Sequence, residues 1–315
     1  MKLIAAFFRL IRWPNLLYIV LTQLLFYFCI VQRVIIAPVY SGFRVPLFIY
    51  LIVASVLIAA AGYIINDYFD RNIDQVNKPT RLVIDKVIKR RWAIVWHILL
   101  SLAGTGICFY IDLAGPTNWL GFANLICVLL LFGYSVTLKK KLFFGNLLIS
   151  ALTAWVIIVV YLCYSGSILQ APSGTRTDPN IYIRFTRMTL LYAGFAFVIS
   201  LIREVVKDME DMEGDLKYGC RTLPVVWGIP ATKVFAAVWI IVLICTLSIV
   251  QFYVLQFGWW WSAVYCIFLI VVPLLLILKQ LYRAQIPADY HRLSMAIKWV
   301  ILTGILSMIF FRIYL

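Results

Sequence analysis

Long apolar runs separated by short polar segments recur along the whole chain. Nine of these runs are about as long as the ~20 residues that a helix needs to cross a bilayer. Because lipid offers the backbone no hydrogen-bond partners, each run is predicted to be a helix. The predicted spans are residues 13–36, 46–68, 92–111, 117–138, 143–168, 188–207, 230–256, 259–281 and 296–314. The pattern therefore predicts an all-α, polytopic membrane protein with nine transmembrane helices in one bundle.

The composition agrees with a chain that is spent almost entirely on membrane spans. Of its 315 residues, 64% are hydrophobic and 13% are charged, whereas soluble domains have roughly 45–50% apolar and about 25% charged residues. No long hydrophilic stretch interrupts the spans, so residues 1–315 are predicted to form a single transmembrane domain. The net charge of +15 lies between the spans. We interpret it as charge that orients the protein toward anionic lipid, and not as a nucleic-acid surface.

Lys and Arg residues are divided unevenly between the two sides of the predicted bundle. If the N-terminus is cytoplasmic, 22 of them fall on the cytoplasmic side and 6 on the opposite side. Cytoplasmic segments of membrane proteins carry the excess of positive charge. The split therefore predicts a multi-pass protein of the cell (inner) membrane, with a cytoplasmic N-terminus and a C-terminus outside.

Nine of the thirteen acidic residues lie in two short windows, 67–74 and 204–215. Each window contains an aspartate trio with the spacing D-x-x-D-x-x-x-D. The trios are Asp67, Asp70 and Asp74, and Asp208, Asp211 and Asp215. Steps of three and seven residues return to within about 60° on a helix, so each trio is predicted to line one helical face. Both trios fall at cytoplasmic span ends, where costly acids usually serve an ion or a substrate.

Two facing carboxylate clusters would repel one another without cations. Oxygen ligands suit Mg²⁺, which commonly bridges carboxylates to the phosphate oxygens of a substrate. Basic side chains near the trios would contact the phosphates directly. The candidate cations are Lys78, Arg81, Arg203, Lys207 and Arg221. The sequence thus predicts a diphosphate clamp at the cytoplasmic face, with the six aspartates as its catalytic and metal-binding residues.

Four segments of the chain resemble the UbiA superfamily of intramembrane prenyltransferases. Residues 66–81, NDYFDRNIDQVNKPTR, are similar to the first Asp-rich motif of that family. Residues 203–228, REVVKDMEDMEGDLKYGCRTLPVVWG, are similar to its second motif and following loop. RWPN at 12–15 and YSVTLKKKLFFGN at 134–146 are further matches.

The resemblance implies a bundle around a central cavity that opens to lipid. It also implies Mg²⁺-dependent transfer of a prenyl group from a prenyl diphosphate donor to a hydrophobic or amphiphilic acceptor. Asn66 is expected to join the metal ligands, Tyr134 to face the allylic cation, and Asp208 or Asp215 to accept the acceptor's proton. Further substrate-binding residues implied by the resemblance are Arg12, Asn15 and Lys139.

The acceptor is less sharply indicated than the donor. The second segment is most similar to family members that prenylate geranylgeranylglyceryl phosphate, a step of lipid biosynthesis. However, residues 82–86 depart from the Pro-Leu-Pro pattern that often follows the first motif. An aromatic precursor of quinones, of the 4-hydroxybenzoate or dihydroxynaphthoate type, is the alternative acceptor.

Two other classes of membrane protein also place acids in membranes. A CDP-alcohol phosphotransferase carries one contiguous D-x-x-D-G-x-x-A-R signature, whereas here Arg71 follows Asp70 and the second trio is 141 residues away from the first. A cation transporter usually binds its ions near the membrane midplane. Here the acids lie at span ends beside Arg and Lys, which favours a phosphate ligand.

Overall fold

A computed structural model describes residues 2–34, 43–77, 83–169 and 179–314, and nearly all of these residues are helical. The helices are α1 (Lys2–Leu10), α2 (Trp13–Val34), α3 (Val45–Asn77), α4 (Arg90–Ala114), α5 (Leu120–Val136), α6 (Phe144–Leu169), α7 (Pro179–Glu210), α8 (Met212–Lys217), α9 (Leu223–Leu255), α10 (Trp260–Arg283) and α11 (Pro287–Tyr314). The long helices α2 and α10 each contain a π-helical segment, Phe26–Val31 and Ile267–Val271.

Eight helices in the described ranges are long and apolar enough to cross a membrane, namely α2, α3, α4, α6, α7, α9, α10 and α11. The apolar helix α5 is shorter, with 17 residues, which is still within the range of about 17–25 residues seen for membrane spans. Each predicted span corresponds to one of these nine helices. The predicted all-helical, multi-pass architecture is therefore confirmed.

Several helices extend well beyond the apolar runs that revealed them. The helix α3 continues nine residues past the predicted end of its span, and it thereby includes the whole first aspartate trio. The helix α11 begins at Pro287, although its apolar run was predicted to start at residue 296. Hydrophobicity reports only the part of a helix that faces lipid or core. Polar turns that continue the same helix are therefore missed.

Two large apolar clusters build the bundle, and α7 takes part in both. One joins α2, α3, α6 and the first half of α7, and includes Phe26, Phe48, Tyr164 and Phe185. The other joins the second half of α7 with α9, α10 and α11. Because both clusters meet on α7, this helix forms a central wall of the bundle.

A short helix that the apolar pattern did not predict precedes the first span. On α1, Leu3, Ile4 and Phe8 are exposed, whereas Ala6 and Leu10 are buried against α2 and α3. The N-terminal segment therefore packs one face on the bundle and leaves a second apolar face free for lipid.

Candidate active site

The first aspartate trio lies on one face at the end of α3, as its spacing predicts. Asp67 accepts a hydrogen bond from the Arg12 guanidinium at 2.6 Å. Asp70 accepts one from the Asn66 amide at 2.7 Å and forms an ion pair with Lys139. Two of the three carboxylates are therefore neutralised by cations from outside α3.

Arg12 is held in place by the break between α1 and α2. Its backbone is left-handed, with φ 52° and ψ 51°, which is uncommon for a residue with a side chain. The guanidinium lies 5.1 Å from the centroid of the Tyr63 ring. The Asn15 amide donates to the Tyr63 hydroxyl at 3.3 Å. The predicted residues Arg12 and Asn15 thus meet α3 one turn before Asp67.

The second trio does not lie on one continuous helix, and this part of the prediction was wrong. Asp208 belongs to α7, the chain leaves helical geometry at Asp211 (φ −97°, ψ 6°), and Asp215 belongs to the separate helix α8. The break is stabilised by Asn77, the last residue of α3. Its amide donates to the carbonyl of Asp211 at 2.9 Å and accepts from the backbone N–H of Gly214 at 2.8 Å. A tertiary contact between the two motifs therefore replaces helix continuity.

Two carboxylates of the second trio, those of Asp208 and Asp215, accept hydrogen bonds from neutral donors. Asn146 donates to Asp208 at 2.8 Å, and the Thr222 hydroxyl donates to Asp215 at 3.3 Å. Burial and the nearby charge of Asp211 raise the pKa of Asp215 to about 7. This part of the site therefore has an excess of negative charge that a bound cation would relieve.

Tyr134 in the last turn of α5 and Lys139 in the short segment after it both lie beside the aspartate motifs. Lys139 contacts Asp70 of the first motif, and the side chain of Tyr134 lies near both Asp70 and Asp208. A Cβ atom at Gly145 would lie 2.9 Å from the Cα of Lys139 and 3.2 Å from the Tyr134 ring. The glycine therefore allows this segment to fold closely onto itself and to aim both side chains at the motifs.

A cavity of about 300 Å³ begins beside these motifs and runs into the bundle. Its volume is at the lower end of the range for ligand sites, about 300–1,000 Å³. The polar end is lined by Arg12, Asn15, Tyr63, Asn66, Tyr134, Arg203, Glu204, Lys207 and Lys298. Further along the same helices the walls are mostly apolar, with residues such as Ile58, Leu152, Phe195, Ile199 and Met308. The cavity therefore has a charged end that continues into a long apolar wall.

Two charged residues of this cavity were missed by sequence reasoning. Glu204 is buried and accepts hydrogen bonds from Arg203 at 3.1 Å and from Lys207 at 2.9 Å. Lys298 lies on α11, beyond the start of an apolar run. Its signal was present in the sequence, because a lone lysine inside a predicted span is costly and usually functional.

The remaining predicted residues have different outcomes. Asp74 lies on α3 with the other first-motif acids and interacts electrostatically with Arg12. The side chain of Arg221 is exposed, and its backbone N–H donates to the carbonyl of Lys140 at 2.9 Å. Lys78 and Arg81 lie outside the described residues.

The donor atoms at the polar end suit a magnesium ion. In the part of the chain that the structure describes, no three His, Cys, Asp or Glu side chains are arranged to hold a metal on their own. However, Mg²⁺ is typically held by one or two carboxylates together with water and substrate phosphates. The side-chain oxygen of Asn66 is buried without a hydrogen-bond partner and lies one residue from Asp67. The residues present therefore fit a metal that is completed by a ligand's own oxygens.

Comparison with known proteins identifies relatives over most of the chain. Residues 10–309 match the model of the UbiA prenyltransferase family. The digeranylgeranylglyceryl phosphate synthase of Sulfurisphaera tokodaii is 31% identical over 288 residues, which cover 90% of this chain and 89% of the relative. The enzyme of the same name from Methanosphaera stadtmanae is 28% identical over 249 residues, covering 78% and 81% of the two chains.

Solved structures resemble the fold. One solved structure, from work on digeranylgeranylglyceryl phosphate synthase in membranes, superposes with a TM-score of 0.58 and 20% identity. The superposition covers 98% of this chain and 99% of the solved one. A UbiA homolog from Archaeoglobus fulgidus bound to GPP and Mg²⁺ has a TM-score of 0.54 and 14% identity, with 96% and 99% covered. At these identities the likeness concerns the fold of the bundle.

Proposed function

This chain belongs to the UbiA prenyltransferase family, and we propose that it transfers a geranylgeranyl group from its diphosphate to geranylgeranylglyceryl phosphate in a Mg²⁺-dependent reaction. Several relatives are named digeranylgeranylglyceryl phosphate synthase, which supports this acceptor over an aromatic quinone precursor. The chain spans most of the length of these relatives. The proposal therefore concerns the whole activity and not one part of it.

One observation carries the donor assignment, namely that both aspartate motifs lie beside the charged end of a single apolar cavity, directly after its lining residues Asn66 and Lys207. A prenyl diphosphate has the same division, because a strongly anionic head is joined to a long apolar tail. The head would lie among Asp67, Asp70 and Asp208, and the tail would lie against walls such as Ile199 and Phe195. The membrane location follows, since such a tail partitions into apolar surroundings.

Mg²⁺ bound at this end would neutralise the charge that develops on the departing diphosphate. Asn66, Asp67, Asp70 and Asp74 are proposed to hold one ion, and Asp208, Asp211 and Asp215 another. A solved UbiA homolog from Archaeoglobus fulgidus is bound to GPP and Mg²⁺, which supports a magnesium-bound prenyl diphosphate as the donor.

The basic residues beside the aspartates complete the electrostatic environment of the head group. Lys139 and Arg12 each contact a first-motif carboxylate. The ammonium and guanidinium groups are therefore next to the carboxylates that are proposed to surround the diphosphate. Positive groups preorganised where negative charge develops stabilise the transition state. Lys139 and Arg12 are therefore proposed to bind the leaving diphosphate.

The reacting carbon would lie at the junction between the charged end and the apolar wall. As the bond between this carbon and the diphosphate oxygen breaks, the positive charge on the allylic group would face the ring of Tyr134, and aromatic faces attract cations. The hydroxyl oxygen of the acceptor then forms the new ether bond. Its proton is proposed to pass to Asp208 or Asp215.

A transfer assay tests this proposal. Protein purified in detergent is incubated with labelled geranylgeranyl diphosphate, Mg²⁺ and geranylgeranylglyceryl phosphate, and the diether product is extracted. We expect product only with all three components. Product with 4-hydroxybenzoate in place of the lipid acceptor would contradict the acceptor assignment, and transfer that persists in excess EDTA would contradict the metal assignment.

The orientation in the membrane is a separate part of the proposal. The distribution of Lys and Arg supports a cytoplasmic N-terminus, an external C-terminus and an active site at the cytoplasmic face. Single cysteines placed near each terminus of a cysteine-free variant can be labelled with a membrane-impermeant maleimide in intact cells. We expect labelling near the C-terminus alone, and labelling near the N-terminus would reverse the orientation.

A further inference from the structure

The wall of the cavity carries a cluster of positive charge that the aspartate motifs do not neutralise. Its members, Arg203 and Lys207 on α7 and Lys298 on α11, all line the cavity. Lys298 experiences the like charges of Arg203 and Lys207, so the three cations are close enough to repel one another. Such repulsion in a membrane-embedded site is costly unless an anion binds there.

The acidic side chains around this cluster are too few to balance it. Among the described residues that line the cavity, Glu204 is the one acid, and it contacts Arg203 and Lys207 at 3.1 Å and 2.9 Å. Within the described ranges no carboxylate is in ion-pair distance of Lys298, whose ammonium lies 5.9 Å from the centroid of the Tyr18 ring. Three cations and one carboxylate leave a formal charge of +2.

A donor group in the cluster is also unused. The Nε atom of Arg203 is buried, and it makes no hydrogen bond in the part of the chain that the structure describes. A buried guanidinium N–H without an acceptor costs free energy. An oxyanion that enters the cavity at this point would supply the missing acceptor and would also balance the charge of Lys298.

The position of Arg203 separates it from the proposed site of the donor diphosphate, whereas Lys207 directly precedes Asp208. Arg203 precedes Asp208 by five residues on α7, which places it about 7.5 Å further along the helix, toward the apolar wall. The second anion is therefore expected one helical turn deeper than the aspartate motifs. A phosphate monoester carries a charge of about −1.5 to −2 at pH 7, which matches the excess of +2. The carboxylate of an aromatic acceptor would balance half of it.

We propose that Arg203, Lys207 and Lys298 form a phosphate subsite for the acceptor, and that this subsite selects acceptors that carry a phosphate monoester. The inference rests on the proposed prenyl transfer and assigns the recognition of its second substrate. In a glycerol phosphate the reacting hydroxyl is only a few bonds from the phosphate. A phosphate held one helical turn deeper in the cavity than the aspartates would therefore place this hydroxyl beside the reacting carbon of the donor.

Kinetics of the variant Lys298→Gln test the subsite. The substitution removes the charge but keeps a polar side chain of similar length. With geranylgeranylglyceryl phosphate as acceptor, we expect the KM for the acceptor to rise by about tenfold to a hundredfold, the loss of one charge-assisted hydrogen bond. The KM for geranylgeranyl diphosphate should change little. The matched control is Lys279→Gln, because Lys279 is an exposed lysine of α10 that does not line the cavity.

The dephosphorylated acceptor, an alcohol with the same tail, provides the decisive comparison. The unmodified protein should use it poorly, and Lys298→Gln should not impair it further. A rise in the KM for the diphosphate donor, or an equal loss with both acceptors, would overturn the proposal. Prenylation of 4-hydroxybenzoate that depends on Lys298 would also overturn it, because the subsite would then serve a carboxylate.

Equilibrium binding separates this inference from the proposed function. Binding of the phosphorylated lipid to purified protein without donor is measured beside binding of its alcohol. If transfer fails but Lys298→Gln weakens binding of the phosphorylated lipid alone, the proposed reaction is wrong and the subsite stands. If the unmodified protein binds both lipids equally, the subsite is wrong whatever the transfer assay shows.

Discussion

The contact between Asn77 and Gly214 makes a sharp prediction about how the two aspartate motifs are held together. In Gly214→Ala, the new Cβ atom would lie 2.5 Å from Nδ2, 2.6 Å from Oδ1 and 2.7 Å from Cγ of Asn77. Side chains essentially never approach so closely, so the amide must move. Its hydrogen bonds to the carbonyl of Asp211 and from the N–H of Gly214 would then be lost.

The magnitude follows from these contacts. Two hydrogen bonds contribute about 0.5–1.5 kcal/mol each, and overpacking adds about 1–3 kcal/mol. The better helix propensity of alanine offsets about 1 kcal/mol. The folded arrangement of the two motifs should therefore be destabilised by about 1–5 kcal/mol. Most of this destabilisation should displace the second motif relative to the first. Activity measured against Mg²⁺ concentration should therefore show a requirement for metal raised by about tenfold or more.

A double-mutant cycle tests the physical reason. Asn77→Ala loses the same two hydrogen bonds and also removes the atoms that clash. The double variant should therefore resemble Asn77→Ala alone, because the two changes share one interaction. Gly106→Ala is the control, since a Cβ atom there meets nothing within 4 Å. Additive effects of the two substitutions, or an unchanged requirement for Mg²⁺ in Gly214→Ala, would refute the argument.

Three further predictions concern the same site. Asp70→Asn loses the charge that pairs with Lys139, so kcat/KM for the donor should fall by about a hundredfold or more, and normal activity of this variant would remove Asp70 from the clamp. Asn146→Ala loses the hydrogen bond to Asp208, and the rate constant for transfer in a single-turnover assay should fall by about fivefold to tenfold. His291→Phe removes the contact between His291 and Glu210, neither of which lines the cavity. It should leave kcat/KM within about twofold of the parent, and a larger loss would mean that the site extends to α11's first turns.

Apolar periodicity and charge predicted the fold because they act locally. Each span must bury or expose a continuous apolar stretch, so every span is visible in the sequence. The ends are different, since the last turns of α3 are polar and yet helical. Asp70 and Asp74 were assigned to a helix from their spacing alone, because the predicted span ended at residue 68 and gave no signal that its helix continued through them.

The parts of the site that sequence reasoning missed depend on distant partners. Nothing local to Asp211 indicates that the helix breaks there, because the break is stabilised by Asn77 from another helix. The pairing of Lys139 with Asp70 joins residues 69 positions apart. Such contacts arise only when the helices are packed, so the spacing of the second trio gave the right residues and the wrong local geometry.

The helix α7 carries part of the apolar wall, Arg203 and Lys207 of the proposed phosphate subsite, and the first aspartate of the second motif in one uninterrupted register. From Tyr192 to Asp208 it rises about 24 Å, and inserting or deleting one residue between them would rotate one end by about 100° relative to the other. Natural variants of this enzyme should therefore differ in α7 by substitution and keep its length. Efforts to change the accepted tail length should follow the same rule, by altering side-chain volume at wall positions such as Phe195 while leaving the helix uninterrupted.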